Sequence, residues 1–428
     1  MSQARPQPTL TSVHNDPALT QADHAFYGAV DQLLVTRGEQ VVGQVPCERL
    51  HLPREERWPT HHIGGHVART GDGSLHALVS GGAAAVHWRS DDVGVTWQGR
   101  ELSSRTNSAA GAFAVLDDGA FLLARGGGER AIEIARSTDC GATWEPLAEI
   151  APAHFDAVHV DGNLLQLADG TVLLAVNCRL SPPAGEPLGA GHYPQYLFRS
   201  TDRGATWSGG GDPAFWRDVR QGREQIRDDH PQYTWPGEGG SFSGVYETGF
   251  LQARDGRVLG AFRLSGFPKP WHAGQIAQWG QPPPEPDGHG RLFRHVVLGE
   301  SADGGRSWQN LRPIVDAAGQ PLMAHGECNG ELVQLSDESL VLIHQTRYAD
   351  PYERSRGWFR GRSQLCARVS HDVGRTWRPE RYRLLFGFGY PGSLSLKDDT
   401  IVTVVGCCLG DNGDPRRAAV VRWRPLAP

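Results

Sequence analysis

Apolar and polar residues alternate on both sides of a short acidic turn at six places along the chain. These segments are residues 69–80, 114–124, 165–176, 251–262, 333–343 and 394–405, and a typical one reads LQARDGRVLGAF. A two-residue period interrupted by a turn dipeptide predicts a strand, a tight turn and a second strand. The pattern therefore predicts six hairpins.

A second motif, Ser-x-Asp-x-Gly-x-(Thr/Ser)-Trp, is interleaved with the hairpins. Its five copies begin at Ser90, Ser137, Ser200, Ser301 and Ser370. We expect each copy to form a tight turn in which the Asp accepts hydrogen bonds from turn amides and the Gly adopts a left-handed conformation. The hydroxyls and the Trp would attach the loop to its own sheet, so the motif has a structural role rather than a catalytic one.

The order of these repeats predicts the architecture. A hairpin precedes each copy of the motif in five units, and the sixth hairpin is followed by RRAAVVRWRP. Six units of four strands predict an all-β fold, a six-bladed β-propeller that forms one domain over residues 26–428. We expect residues 1–25 to form an N-terminal tail and a strand at about 32–42 to complete the last blade, because a propeller leaves no open edge.

Composition restricts the class of partner. The 428 residues are 39% hydrophobic and 21% charged with a net charge of −6, which is typical of a soluble globular protein and offers no basic surface for nucleic acid or anionic membranes. No apolar run resembles a signal peptide or a membrane span, so we expect a cytoplasmic protein. The seven cysteines form no Cys-x-x-Cys pair, and the sequence indicates neither a metal nor a cofactor.

Candidate site residues follow from counting along each hairpin. Positions nine residues before and seven residues after the second turn residue lie on the same rim of the predicted funnel, where propellers bind ligands. Glu247 and Tyr390 occupy the first position in two blades, and Arg263 occupies the second. Asp161 and Asn329 fill the first position in two other blades.

The arrangement resembles the sialidase (neuraminidase) superfamily over roughly residues 55–428. Its Asp-boxes match the five motif copies, its Glu and Arg flank an apolar hairpin as Glu247 and Arg263 do, and its tyrosine opens a stretch similar to YPGSLSLKDDTI from Tyr390. The resemblance implies that Tyr390 attacks the anomeric carbon while Glu247 acts as its base. It also implies that three arginines bind the substrate carboxylate, with Arg263 as the second and Arg362, or its competitor Arg360, as the third.

Two positions depart from the family pattern. HHIGGHVARTGDG stands where sialidases carry their first arginine, and LVSGGAAAVHWRSDD contains no loop for their acidic Asp. His62 or His66 would supply a proton or bind an anion instead, and Asp161 is a further substitute for the acid. Asn329 is expected to contact the substrate, and Trp271, in the long segment 264–290, to stack on a sugar face.

The sequence therefore predicts a sialidase-like carbohydrate-active enzyme, an exo-glycoside hydrolase acting on a terminal acidic sugar. Two alternatives stay open. One is a polysaccharide lyase, or a hydrolase of a different sugar, in which Tyr390 and a histidine perform the acid–base chemistry. The other is a glycan-binding propeller without catalysis.

Overall fold

The computed structural model describes most of the chain. The described residues are 10–52, 64–102, 111–151, 157–179, 195–209, 244–266, 293–356 and 363–427, apart from 18, 82–83, 161, 321, 324–325, 347–349, 388 and 409–414. Within these ranges no helix is long and apolar enough to cross a membrane.

The chain begins with short elements and a long hairpin. They are β1 (Thr11–Ser12), a single 3-10 turn (Val13–Asn15), α1 (Gln21–Tyr27), β2 (Gln32–Arg37) and β3 (Gln40–His51). Thr20 caps α1 reciprocally with Asp23, because its side chain accepts from the Asp23 N–H (3.3 Å) and its own N–H donates to the Asp23 carboxylate (2.7 Å).

Almost all of the following elements are strands, and the one further described helix is α2 (Pro351–Arg354). The strands are β4 (Gly64–Arg69), β5 (Leu75–Gly81), β6 (Ala84–Ser90), β7 (Gln98–Leu102), β8 (Gly111–Val115), β9 (Phe121–Arg125), β10 (Gly127–Glu129), β11 (Ile132–Ser137), β12 (Glu145–Ile150), β13 (Ala157–His159), β14 (Leu164–Gln166), β15 (Val172–Arg179), β16 (Gln195–Ser200), β17 (Ser208–Gly209), β18 (Gly244–Gln252), β19 (Val258–Gly266), β20 (Phe293–Ser301), β21 (Gln309–Pro313), β22 (Cys328–Gln334), β23 (Leu340–Thr346), β24 (Gln364–Ser370), β25 (Arg381–Phe386), β26 (Gly392–Ser395), β27 (Ile401–Cys408) and β28 (Pro415–Trp423).

Consecutive strands pair antiparallel in separate sheets. Three sheets have four strands each, in the orders β4-β5-β6-β7, β12-β11-β9-β8 and β18-β19-β20-β21. A fourth sheet runs β10-β13-β15-β16-β17, with β14 also on β15. In the largest sheet β22-β23-β24-β25 connects through β2 and β3 to β28-β27-β26, and β1 adds to β3. The described chain is therefore all-β and propeller-like, as the alternation predicts.

The six predicted hairpins close with the same turn. In each, the N–H of the residue two positions before the turn aspartate donates to the carbonyl four residues after the donor, as between Leu116 and Ala120 or Leu396 and Thr400 (both 2.8 Å). The first strands of successive hairpins contact one another in the order β4, β8, β14, β18, β22 and β26, and β26 contacts β4. Side-chain oxygens of Gln166, Gln252, Gln334 and Asp399 accept from backbone amides of a neighbouring hairpin, at 2.7–2.9 Å.

The five motif copies form tight turns, as predicted. In the copy at Ser200, the Asp202 carboxylate accepts from the Thr206 N–H (2.8 Å), and the Trp207 indole donates to the Gly204 carbonyl (2.9 Å). The side chain and N–H of Thr206 hold the pKa of Asp202 at about 2. Gly204 has the expected positive φ, and so does the preceding Arg203, which the motif alone does not reveal.

The N-terminal residues differ from the expected tail. Val13 and Asp16, inside the expected tail of residues 1–25, are buried, and Phe26, the first residue of the expected domain, stacks on Phe386 with 3.9 Å between ring centroids. The buried Asp16 carboxylate lies 2.9 Å from Arg417 and 3.3 Å from His51. β1, the 3-10 turn and α1 therefore pack against the sheet, where buried side chains such as Val13 and Tyr27 are removed from water.

The strand that extends the last sheet lies later than expected. β3 pairs with β28, for example Val421 with Arg49, whereas β2 pairs with β25 through Val35 and Tyr382. The expected strand at 32–42 thus spans β2 and the turn into β3. The alternation of apolar and polar residues indicates the β2–β3 hairpin, but it does not show which of the two strands pairs with β28.

Candidate functional site

Tyr390 and Glu247 form a hydrogen bond between two different hairpins, near the first strand of each. The Tyr390 hydroxyl donates to Glu247 Oε1 over 2.9 Å, although the residues are 143 positions apart in sequence. Glu247 lies within β18, and Tyr390 lies two residues before β26. A phenol that donates to a carboxylate is placed to lose its proton to that carboxylate.

Arg263 completes the contact from the second strand of the same hairpin. Its guanidinium forms an ion pair with Glu247 Oε2. Both oxygens of the carboxylate are therefore engaged, one with a phenol and one with a cation. The Arg263 side chain is 6% exposed and that of Glu247 13% exposed, which limits the water that screens the ion pair.

A β-bulge directs Glu247 towards the site. Tyr246 pairs with Arg263 and Gly249 with Ala261, so two residues of β18 face one residue of β19. Glu247 has a φ of +46°, a conformation that costs a non-glycine residue about 1 kcal/mol or more. β22 carries the same bulge, where Asn329 has a φ of +55°. Bulges often reorient a side chain next to an active site.

Close to Tyr390 and Glu247, glycines allow the first strands of neighbouring hairpins to approach one another closely. A Cβ on Gly249 would lie 2.5 Å from the Gly330 carbonyl oxygen, and one on Gly392 would lie 2.5 Å from that of Gly65. The space left at the centre is a cavity of about 30 Å³, enough for about one water molecule. Its lining includes Glu247, Tyr390, Asn163, Asn329, Glu331 and His66.

His66 reaches this cavity as a neutral imidazole. Burial lowers the pKa of His66 to about 4, although a hydrogen bond with the Gly111 backbone opposes the shift. The ring therefore carries no charge near neutral pH. It can accept a proton there, but it offers no cation to an anionic ligand.

Two amide side chains connect Arg263 with the residue before Tyr390. Arg263 Nη1 donates to Asn329 Oδ1 (3.5 Å), and Asn329 Nδ2 donates to Gln345 Oε1 (3.3 Å). Gln345 Nε2 then donates to the Gly389 carbonyl at 2.7 Å. Gln345 is fully buried and Asn329 nearly so.

Glu331 is a second carboxyl at the centre. Its Oε1 accepts from the Ser393 N–H at 2.9 Å. Burial raises the pKa of Glu331 to about 8, against the opposing effect of that hydrogen bond. The side chain is therefore largely protonated at neutral pH.

The structure brings together five of the site residues chosen from the sequence. Tyr390, Glu247, Arg263, Asn329 and His66 lie around the centre. The others, His62, Asp161, Arg360, Arg362 and Trp271, lie outside the described residues. In the described part of the chain, no group of three or more His, Cys, Asp or Glu side chains could hold a metal ion.

Gln345, Glu331 and Asn163 were not singled out from the sequence. Gln345 lies in LVLIHQT, a strand whose residues are all buried, and a polar side chain in such a strand was the available signal. Glu331 lies two residues after Asn329 on β22, which is also largely buried. A charged side chain in such a strand was the available signal for Glu331.

Comparisons with known proteins support the fold. No family model matches the chain, and no curated protein matches it in sequence. Among solved structures, a protein of unknown function from Dyadobacter fermentans has a TM-score of 0.56 at 14% identity, covering 92% of this chain and 99% of that one.

Two sialidases are also structurally similar. The Trypanosoma rangeli sialidase in complex with the inhibitor DANA has a TM-score of 0.51 at 12% identity, covering 88% of this chain and 60% of the sialidase. The Hadza microbial sialidase Hz136 has a TM-score of 0.50 at 15% identity, covering 86% of this chain and 66% of that one. At these identities the likeness shows that the chain shares the sialidase-like β-propeller fold.

Proposed function

We propose that the chain is a six-bladed propeller of the sialidase superfamily, and a glycoside hydrolase that removes a terminal acidic sugar. The observation that carries the proposal is the 2.9 Å hydrogen bond from the Tyr390 hydroxyl to Glu247, with Arg263 on the other carboxylate oxygen. Hydrolases that use a tyrosine nucleophile require a phenol and a base in direct contact.

In the proposed first step Tyr390 Oη bonds to the anomeric carbon as Glu247 Oε1 takes the phenol proton. The bond from that carbon to the leaving oxygen breaks, and the oxygen keeps the electron pair and receives a proton from an acid. Of the proposed donors, His66 is neutral at working pH, and we assign the acid to Asp161 or His62. A neutral nucleophile suits an anionic substrate, because the phenol repels the carboxylate only after its proton has left.

In the second step a water molecule attacks the anomeric carbon and displaces Tyr390. Glu247 returns the proton to the phenol oxygen, and the proton of the water restores the acid. Arg263, with Arg362 or Arg360, would bind the substrate carboxylate through paired N–H donors, Asn329 would contact the bound sugar, and Trp271 would cover it.

The test measures hydrolysis of fluorogenic glycosides of sialic, uronic and neutral sugars by the full chain. We expect turnover of an acidic sugar, inhibition by DANA, and a loss of about 10²–10⁴-fold in kcat for Glu247→Gln, because the base is removed. Tyr390→Phe should lose turnover and also the covalent adduct with a fluorinated sugar, detected by peptide mass. Tyr382→Phe is the matched control, since it removes a hydroxyl that accepts from the Leu426 N–H (3.2 Å) and belongs to no residue of the site.

Each alternative outcome has a distinct signature. If Tyr390→Phe and Glu247→Gln turn over every substrate at the wild-type rate, the nucleophile assignment is wrong. Unsaturated-uronate absorbance from polyuronates would indicate a lyase. Saturable binding of a sugar with no turnover would indicate a glycan-binding propeller.

A further inference from the structure

The five residues that carry Tyr390 are held at both ends by one neighbouring hairpin. At the first end, the Gly389 carbonyl accepts from Gln345 Nε2 (2.7 Å) and from Asn329 Nδ2 (3.5 Å). At the other end, the Ser393 N–H donates to Glu331 (2.9 Å). These three side chains all belong to β22 and β23.

The bond to the Gly389 carbonyl acts directly on the tyrosine. This carbonyl and the Tyr390 N–H belong to the same peptide plane, so a hydrogen bond that fixes the carbonyl fixes the direction from which the Tyr390 side chain departs. Gly389 has a φ of +134°, where glycine is strongly favoured and the backbone alone provides little restraint. The orientation of the plane therefore depends on its hydrogen-bond partners.

The same amide pair reaches the other half of the site. Asn329 accepts from Arg263, which forms the ion pair with Glu247. One continuous set of contacts thus joins the carboxylate to the backbone that presents the phenol. Gln345 occupies its centre, because its Oε1 accepts from Asn329 while its Nε2 donates to Gly389.

Packing alone does not explain why an amide side chain occupies position 345. Every residue of β23 is buried, and Gln345 is 0% exposed. An apolar side chain of equal length would fill the space without the desolvation that an amide carries. A buried amide with both of its groups bonded instead specifies one geometry among several.

We propose that Gln345 is a positioning residue, which acts through Asn329 and the Gly389 carbonyl to set the contact between Tyr390 and Glu247. The proposal rests on the proposed function for its kinetic consequence. The side-chain hydrogen bonds of Gln345 join it to Asn329 and the Gly389 carbonyl, so its loss should slow the chemical step and leave sugar binding intact.

The first test compares Gln345→Met with Gln334→Met. Gln334 lies on the same hairpin and accepts from the Arg254 N–H of a neighbouring hairpin (2.9 Å), at the end of the strand away from Asn329. With the glycoside that the wild type cleaves, we expect Gln345→Met to lower kcat and the rate of Tyr390 labelling by about 10–100-fold with KM changed less than about twofold. Gln334→Met should keep wild-type kinetics.

The second test uses pH. In Gln345→Glu a protonated carboxyl can donate to the Gly389 carbonyl, whereas a carboxylate cannot and repels the carbonyl oxygen. We expect the kcat of this variant relative to wild type to be about tenfold higher at pH 5 than at pH 8. An equal loss at both pH values, or wild-type labelling by Gln345→Met, overturns the positioning role.

A readout without substrate separates this proposal from the proposed function. Hydrogen exchange of peptides covering 387–393 should rise about tenfold in Gln345→Met and stay unchanged in Gln334→Met. If no sugar is cleaved by the wild type but exchange rises as expected, only the proposed function fails. If the wild type cleaves a sugar and exchange in Gln345→Met is unchanged, only the positioning proposal fails.

Discussion

At the scale of single residues, Glu331 is a carboxyl group in an unusual setting. It faces the small central cavity together with Glu247, His66 and Tyr390, and burial raises its pKa to about 8 from an ordinary value of 4.5. Between these two values the unfolded chain releases a proton that the folded chain retains. The free energy of unfolding therefore falls as the pH rises from about 4.5 through about 8.

We expect Glu331→Gln to remove this dependence, because glutamine resembles the protonated acid and does not ionise. At pH 8 the variant should exceed the wild type in free energy of unfolding by about 4 kcal/mol, and the gain should vanish near pH 4.5. Urea denaturation at several pH values measures the difference. Glu145→Gln, at an exposed position, is the control.

The titration of His66 does not contribute to the difference in free energy of unfolding between the wild type and Glu331→Gln. Its lowered pKa costs stability at acidic pH, as the pH falls from 6.5 through about 4, and it does so equally in both proteins. Parallel pH profiles for the wild type and Glu331→Gln would mean that Glu331 is ionised in the folded protein.

At the scale of elements, Gly204 in one of the five motif turns meets both a conformational and a steric requirement. Gly204 has a φ of +92°, and a Cβ there would lie 2.9 Å from Leu122 Cδ1 of another sheet. Gly170, in a hairpin turn, has a similar φ of +85°, but a Cβ there would have no atom of the described residues within 4 Å. Substitutions at these two glycines therefore distinguish the cost of backbone strain from the cost of a steric clash.

Gly204→Ala should therefore destabilise the protein more than Gly170→Ala. We expect losses of about 2–3 kcal/mol and about 1 kcal/mol, since only the first substitution adds a steric clash to the left-handed strain. Chemical denaturation of both variants measures the difference. Equal losses would show that Leu122 moves aside freely.

The hairpins were predictable because their signal is local, whereas the site was predictable only in part. A two-residue period and a turn pair specify strand, turn and strand, and counting from the turn placed Glu247 and Tyr390 on one rim. The bulges at Glu247 and Asn329 escaped prediction, because the register of a strand depends on its partner. Gln345 fills the same counted position as Arg263, but its role escaped prediction because its bonding partner, the Gly389 carbonyl, is a backbone group that no sequence motif marks.

At the scale of the whole molecule, the N-terminal segment joins the fold at the end of β25. Phe26 stacks on Phe386, and the Phe386 N–H donates to the Tyr27 hydroxyl (3.1 Å). Phe386 precedes Tyr390 by only four residues. The sequence predicted a tail up to residue 25, just before Phe26, because a single short helix has too few apolar positions to show a period.

Phe26→Ala should destabilise the whole fold rather than only release this segment. We expect a loss of about 3 kcal/mol in the free energy of unfolding, because a fully buried aromatic ring is removed. Val30→Ala, at a position 56% exposed, should change it little. The prediction is wrong if proteases cleave Phe26→Ala early within residues 11–27 while the melting temperature of the remaining chain is unchanged.

The pairing of β3 with β28 has a consequence for biosynthesis. Residues 47–51 leave the ribosome early, yet their partners at 419–423 are made more than 350 residues later. At typical rates of synthesis that interval lasts roughly 20–70 s, during which the edge of β3 at residues 47–51 lacks its partner strand. Nascent chains should therefore depend on chaperones over this interval, and a circular permutant that places β3 directly after β28 should not.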